Sequence, residues 1–301
     1  MDMHISPTNY NCWINDPDSW IKRYVLKIRT RGEQTHAMAA GGSFDVYVKN
    51  NIIDTLDLPL AKMTWDSVEP QNLAWGQAAG RTLMDRYTGS GAFADLLLEL
   101  GGAGFIRMES ELRGILTGPT SLELEPDVGV GSLKMMVKPD LIVILKSGRL
   151  MIGDWKCNGF CSKRPFSPVP GYTKRYQGLG NFRGGVTHDD VSLGNVDGVI
   201  VDMSGCLMRE ARDECIQLCF GAWLSGCPVG TPFIGAIDRL VGQEFGNWSV
   251  ARYRVVIGRN FQIPLFADLV RFYNLMLADQ AWDTGRAAML AMPDSTEYNW
   301  L

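Results

Sequence analysis

The 301-residue chain has little excess charge of either sign, no membrane-length apolar run and no CxxC pair. Each shortage excludes something. A formal net charge of -4 means that no global basic field advertises a nucleic-acid partner, so such a partner would need a local basic groove. No stretch approaches the roughly 20 apolar residues of a membrane span. The opening MDMHISPTNY lacks a basic region followed by an apolar run, so no secretory signal is expected. The seven cysteines, at 12, 157, 161, 206, 215, 219 and 227, form an odd set. Cys157 with Cys161, or Cys215 with Cys219 one helical turn apart, offer metal ligands. Buried reduced thiols fit better, because the usual ligand spacings are missing. The expectation is a soluble, cytoplasmic protein without a membrane partner. No repeat of fixed period and no low-complexity tract is present.

What is there is ordinary globular composition, 46% hydrophobic and 21% charged. The first third reads as helical: PDSWIKRYVLKI (17–28), a stretch from Ala37 to Ile53, another from about Glu69 through Tyr87, and AFADLLLEL (92–100) after a Gly-Ser-Gly break. The period then changes. GFIRMESELRGILT (104–117) alternates like one half-buried strand, and SLKMMVKPDLIVIL and RLMIGDWK predict two more. Residues 157–188 are rich in Gly and Pro, basic and aromatic, and predict a long irregular connection. A short strand at 196–203, a helix at 209–226, strands in PFIGAIDRLVG and WSVARYRVVIG, and a helix from about Ile263 to Trp282 complete the pass. Helices first, then strands with one interposed helix, is an α+β order. The predicted organisation is a helical region, 1–103, packing on a core, 104–301, as one continuous domain to about 290 with a short tail.

The hairpin KPDLIVILKSGRLMIGDWK (138–156) carries the chemistry. Asp154 and Lys156 are two apart on a strand and project from one face. The turn decides where Asp140 lies. A two-residue loop at Ser147-Gly148 would pair 140 with 155 and put Asp140 on the wrong face. A three-residue loop, 146–148, pairs 145 with 149 and hence 140 with 154. It needs a left-handed residue at its third position, where Gly148 stands. That register is predicted. Two adjacent carboxylates raise each other's pKa unless they share a cation, and a hard divalent ion prefers such ligands. An ion of this kind activates a bound water and accepts a phosphate oxygen, with Lys156 as a nearby point charge. The plainer alternative is that Pro139-Asp140 opens a strand and that Asp154 and Lys156 make a surface ion pair.

Other acids are candidates for the same site. Glu109 and Glu111 alternate on the preceding predicted strand, Glu123, Glu125 and Asp127 fit a solvated loop, and Asp45 sits on an early helix beside the Gly41-Gly42 pair. After Lys156 come Lys163, Arg164, Lys174, Arg175 and Arg183, interleaved with Phe166, Tyr172, Tyr176 and Phe182. Basic groups and flat rings suit a single strand or a frayed end, and a solvated loop is the alternative. Gln217 would cap buried backbone groups, bond a nucleotide or hold Lys156 in place.

Pro139-Asp140 followed by Asp154-Trp155-Lys156 resembles the PD-(D/E)XK nuclease superfamily, more narrowly its RecB-type and phage-exonuclease branch. SPTNYNCWINDPDSWIKRYV (6–25) is similar to the way that branch opens. GGSFD (41–45) stands where it has a small-Gly-x-Phe-His motif, and QLCFGAWL (217–224) where it has a Gln motif. The four stretches run in the right order from 6 to about 225. The resemblance implies a restriction-endonuclease-like mixed sheet flanked by helices, and a DNA nuclease dependent on Mg²⁺ or Mn²⁺. Asp140 and Asp154 would ligate metal with the Trp155 carbonyl, and Lys156 would be the catalytic lysine. Asp45 (the usual His) and Glu109 would be further acidic ligands and Gln217 an accessory residue, while Lys163, Arg164, Tyr172, Lys174, Arg175 and Tyr176 would face DNA. The usual Tyr of the Gln motif falls at Gly221. Asp16-Pro17 stands where cluster-bearing members have a cysteine, and no cysteine follows Cys227, so no iron–sulfur cluster is expected. A phage origin, host-cell cytoplasm, exonuclease rather than endonuclease action, and a homo-oligomer or phage recombination partner extend the same resemblance. A binding or assembly protein without turnover, and a structure- or sequence-specific endonuclease, are the alternatives.

Overall fold

The computed structural model describes residues 4–28, 32–117, 132–162, 172–179, 183–189, 195–196, 199–200 and 212–278. The chain opens with two short helices, each with a proline in its first turn and a capping side chain before it. These are α1 (Pro7–Asn15), capped by Ser6, and α2 (Pro17–Trp20), capped by Asp16. α2 runs on into a π-turn, Ile21–Val25. Next come α3 (His36–Thr55), α4 (Leu73–Gly89) and α5 (Ala92–Leu100). In α3, Ala40, Phe44, Val48 and Ile52 recur every four residues and are all buried, as an inward stripe requires. α3 and α4 lie unusually close because α4 turns glycines toward its neighbour: a Cβ on Gly80 would stand 2.7 Å from the Phe44 amide nitrogen. The close approach is thus made at Gly76 and Gly80 of α4, whereas a Cβ on Gly41 of α3 would meet nothing within 4 Å.

The strands are β1 (Phe105–Met108), β2 (Leu112–Thr117), β3 (Ser132–Val137), β4 (Leu141–Ile144), β5 (Leu150–Asn158), β6 (Lys174–Leu179), β7 (Arg183–Asp189), β8 (Asn195–Val196), β9 (Val199–Ile200), β10 (Phe233–Gly242) and β11 (Trp248–Ile257). The main sheet runs β1-β4-β5-β10-β11-β6-β7, with β9 beside β11 and β8 beside β9. β5 pairs with β10 in parallel and β9 with β11 in parallel, while the other ladders are antiparallel. Each face of this mixed sheet has its own core. Met151, Val143, Ile234 and Leu240 pack under α3, α4 and α5. Ile152, Ile142, Phe233 and Ile237 pack under α6 (Arg212–Leu224), α7 (Arg259–Ala278), the N-terminal helices and the β2–β3 pair. The molecule is thus α+β, a mixed sheet flanked by helices. Among the described residues no helix is long and apolar enough to cross a membrane.

Four sequence expectations need correction. The run 104–117 is two strands, because the chain breaks at Glu109, and β2 leaves the main sheet to pair with β3. For the same reason 132–145 is two strands, parted at Lys138-Pro139-Asp140. The stretch 157–188 is not all irregular, since β6 and β7 extend the sheet from the open edge of β11. In place of one strand at 196–203, the described residues there form two two-residue strands, β8 and β9, paired antiparallel, while 197–198 and 201–203 lie outside the described residues.

Candidate metal centre

The β4–β5 hairpin has the predicted register. Leu141 faces Gly153 and Ile144 faces Leu150, which sets Asp140 opposite Asp154. The Leu145 N–H donates to the Arg149 carbonyl at 2.9 Å across a three-residue loop, and Gly148 takes φ 77°. Alternation then turns Asp154 and Lys156 toward α6, on the face opposite Trp155 and Cys157. The Lys156 ammonium lies 2.7 Å from Asp154 Oδ2 and donates to Gln217 Oε1 at 3.3 Å, while Gln217 Nε2 donates to Asp154 Oδ1 at 3.3 Å. Gln217 therefore fixes both charged residues. Gly221, one turn further along α6, explains why no tyrosine follows. A Cβ there would lie 2.9 Å from Ile152 and 3.3 Å from Pro139, so the helix closes on the hairpin only without a side chain.

Asp140 precedes β4 and joins this half of the site to a second one. Its Oδ2 accepts the Trp155 N–H at 3.3 Å, and its Oδ1 accepts from the Lys49 ammonium of α3 at 3.1 Å. Lys49 also donates to Asp45 Oδ2 at 2.6 Å and to Glu109. Glu109 reaches this point because the chain turns out of β1 with φ 54°, a left-handed conformation that costs a residue with a Cβ free energy. Lys138 pairs with the other Glu109 oxygen. Glu111 does not share that face and pairs instead with Arg113. One oxygen from each of Asp45, Glu109 and Asp140 falls within 4.8 Å of the others. Those three acids, with Gly41, Lys138, Trp155 and Cys157, line a cleft of about 490 Å³.

The electrostatics follow from this crowding. Burial and the Asp140 charge push Asp45 up to about 7, against the pull of Lys49. Burial, then Asp140, raise Asp154 well above the usual carboxylate range, with Lys156 opposing. Burial would raise Glu109 too, but the bonds from Lys138 and Lys49 outweigh it and hold it down at about 2. Burial would lower Lys49, yet Asp140 and Asp45 hold it above its ordinary value. Asp45, Glu109 and Asp140 offer carboxylate oxygens, the ligands that hard divalent ions prefer. Asp45 Oδ1 is buried without a hydrogen-bond partner, an acceptor that a cation would satisfy.

The residues expected to face DNA divide differently. Lys163, Arg164, Phe166 and Phe182 lie outside the described residues, as do Glu123, Glu125 and Asp127. Tyr176 is corrected: on β6 it points into the core, 1% exposed, with its hydroxyl donating to Asp95, and cannot stack on a base. Lys174 pairs with the same Asp95 at 2.7 Å, and Tyr172 packs edge-on against Tyr253. Arg175 is half-buried on β6, which is separated from β5 by β10 and β11. None of the four joins the hairpin acids.

No protein-family model matches the chain, and no curated protein matches it.

Lys49 and Lys138 are the site residues that sequence reasoning missed. Lys138 adjoins Pro139-Asp140 in the quoted hairpin. Lys49 had one available signal: it falls four residues after Asp45, inside an apolar stripe that also holds Val46, Ile52 and Ile53.

Proposed function

We propose that this chain is a divalent-metal-dependent nuclease of the restriction-endonuclease-like fold, hydrolysing phosphodiester bonds in DNA. The observation that supports it is the position of Asp140, opposite Asp154 on the hairpin and in the same cluster as Asp45 and Glu109. A surface ion pair does not need four acids from four separate segments on one spot. Asp140, Asp154 and the Trp155 carbonyl would hold Mg²⁺ or Mn²⁺, with the unpartnered Oδ1 of Asp45 as a further oxygen donor, while both Glu109 oxygens are engaged by Lys49 and Lys138. Such an ion supplies a water of lowered pKa and charge neutralisation at the phosphate. The chain's own residues do the rest. Lys156, pinned by Gln217 and Asp154, presents a fixed positive charge. Asp140 is held in one rotamer from two sides, by Lys49 and by the Trp155 amide. Lys138, more than half exposed at the mouth of the cleft, is placed to meet a phosphate arriving there. Exonuclease action, a phage recombination or degradation setting, and the host cytoplasm follow from the sequence resemblance alone.

A second reading has one specific observation in its favour. Lys49 already neutralises part of the acidic cluster, which suits a nuclease-fold protein that binds nucleic acid without turnover. One experiment separates the two: incubation with linear duplex, single-stranded and covalently closed DNA in Mg²⁺, Mn²⁺ or EDTA, with Lys156→Ala alongside. Metal-dependent loss of linear substrates, abolished by the substitution, is expected. Cuts in closed circles would make the protein an endonuclease. Tight binding with no cleavage of any substrate would establish the second reading.

A further inference from the structure

A lysine ammonium has three N–H donors. Lys49 commits all of them to carboxylates, those of Asp45, Asp140 and Glu109. Its side chain is 0% exposed, and its nitrogen lies 5.9 Å from the centroid of the Trp155 ring, which covers it. With no donor to spare and no route to solvent, Lys49 cannot pass a proton to a substrate or steer a phosphate. It is a fixed positive charge among three acids drawn from α3, the β1–β2 break and the start of β4.

We propose that Lys49 is the resident second cation of this site, standing where a second divalent ion would otherwise stand among Asp45, Glu109 and Asp140, so that the site takes one metal ion and not two. The inference rests on the metal-dependent reading above. Three observations carry it. The acids lie within 4.8 Å of one another, the span of a single ion's ligand shell, and the ammonium already occupies that shell. Paired catalytic ions stand only about 3.5–4 Å apart, so a second dication in this shell would meet the ammonium at close range. In their ionised forms Asp45, Glu109, Asp140 and Asp154 set four negative charges against three positive ones on Lys49, Lys138 and Lys156, so removing the Lys49 charge doubles the net negative charge left for cations from one to two. The backbone adds an independent argument. Glu109 is held at φ 54°, and such a conformation persists where the surroundings over-determine it. Lys49 and Lys138 hold the side chain there, one on each carboxylate oxygen. Lys49 is thus a positioning residue: it sets three carboxylates before any metal arrives.

The test counts metal ions in the full chain. Mn²⁺ is titrated into the native protein, Lys49→Met, Lys49→Gln and Lys49→Arg, free Mn²⁺ is read by electron paramagnetic resonance, and thermal melting is followed with and without the ion. The native chain and Lys49→Arg are expected to bind one equivalent. Lys49→Met and Lys49→Gln are expected to bind two, the second filling the vacated shell, and to gain more in Tm from Mn²⁺ than the native chain does. Lys49→Gln keeps the test open if the methionine variant does not fold, and both can be prepared in the presence of Mn²⁺. Two equivalents in the native chain, or one in all four proteins, would overturn the assignment and leave the metal-dependent reading standing. No bound Mn²⁺ in any of the four would overturn both.

Discussion

Gln217 and Lys156 are joined across the interface between α6 and β5, the lysine ammonium donating to the amide oxygen at 3.3 Å. The same amide donates to Asp154, so one neutral side chain orients an acid and a base together. Supporting residues of this kind typically contribute 10–100-fold to a site. Gln217→Ala is expected to lower kcat on linear duplex DNA by about that factor with little change in Tm. Gln217→Glu, which loses the donor and sets a carboxylate against Asp154, is expected to lower it further. Steady-state kinetics on the two variants checks this, and an unchanged kcat in both would show that Lys156 needs no such support.

Asp45 gives the metal-free protein a characteristic pH dependence. Its carboxyl is pushed up to about 7, so between about pH 4 and 7 the folded state holds a proton that the unfolded chain has released. The associated stability is fully present below the unfolded value and is lost as pH rises through the folded one. Asp154 is raised as well and acts in the same direction. Urea unfolding in EDTA is therefore expected to show falling stability from pH 5 to 8. Asp45→Asn should reduce that fall, and so should Mn²⁺, which favours the ionised carboxylate.

Asp238 acts in the opposite sense. Buried on β10, it accepts from Tyr87, from Arg252 at 2.7 Å and 3.0 Å, and from Arg254 at 3.1 Å, and Arg254 in turn holds Glu99 at 2.9 Å. Burial would raise its pKa, but the two guanidiniums outweigh burial and hold it well below the usual range. Its contribution is fully present above the unfolded value of about 3.9 and is lost as pH falls through the folded one. Asp238→Ala would leave the buried Arg252 without its carboxylate, while Arg254 keeps Glu99, and is expected to cost about 3–5 kcal/mol. Asp238→Asn should flatten the loss of stability below about pH 4, read from urea midpoints at pH 3 to 6.

Gly80 and Gly41 make a paired test of helix packing. A methyl group on Gly80 would meet the backbone of Ser43 and Phe44 at 2.7 Å, so Gly80→Ala must push α3 and α4 apart, at roughly 1–3 kcal/mol. Because α3 carries Asp45 and Lys49, this variant should also lose cleavage. A Cβ on Gly41 has nothing within 4 Å, and Gly41→Ala should raise stability by about 0.5–1 kcal/mol through helix propensity. Thermal melts of the two variants are expected to move in opposite directions.

The hairpin was legible because its information is local. Loop length, a left-handed glycine and strict alternation decide the register without help from the rest of the chain, so Asp140 meets Asp154 as read. The helices on both faces were legible for a similar reason, since their apolar stripes repeat over several turns. The break at Glu109 was not, because the broad alternation of FIRMESELRGILT carries no glycine or proline at that point and the turn is made by a non-glycine residue bonded to distant lysines. Lys49 was hidden for the opposite reason. An acid and a lysine four apart on a helix read as a solvated pair, and only the arrival of Glu109 and Asp140 from elsewhere puts Asp45 in a cleft and buries Lys49 among three carboxylates. β6 and β7 carry the glycines and basic residues of a loop, and pair because β11 offers them an open edge.

The strand bearing Asp154 and Lys156 has its sequence neighbour on one side only. On the other side β5 pairs in parallel with β10, Asp154 beside Ile237 and Lys156 beside Arg239. That partner is far along the chain, and a contact of such long separation forms late. During synthesis the hairpin emerges first and stays an unpaired edge until the β10–β11 hairpin leaves the ribosome and docks. Gln217 arrives in the same interval. Asp154 and Lys156 are therefore translated well before β10 and Gln217, the two partners that flank and orient them, whereas Lys49 and α3 already stand ready for Asp140.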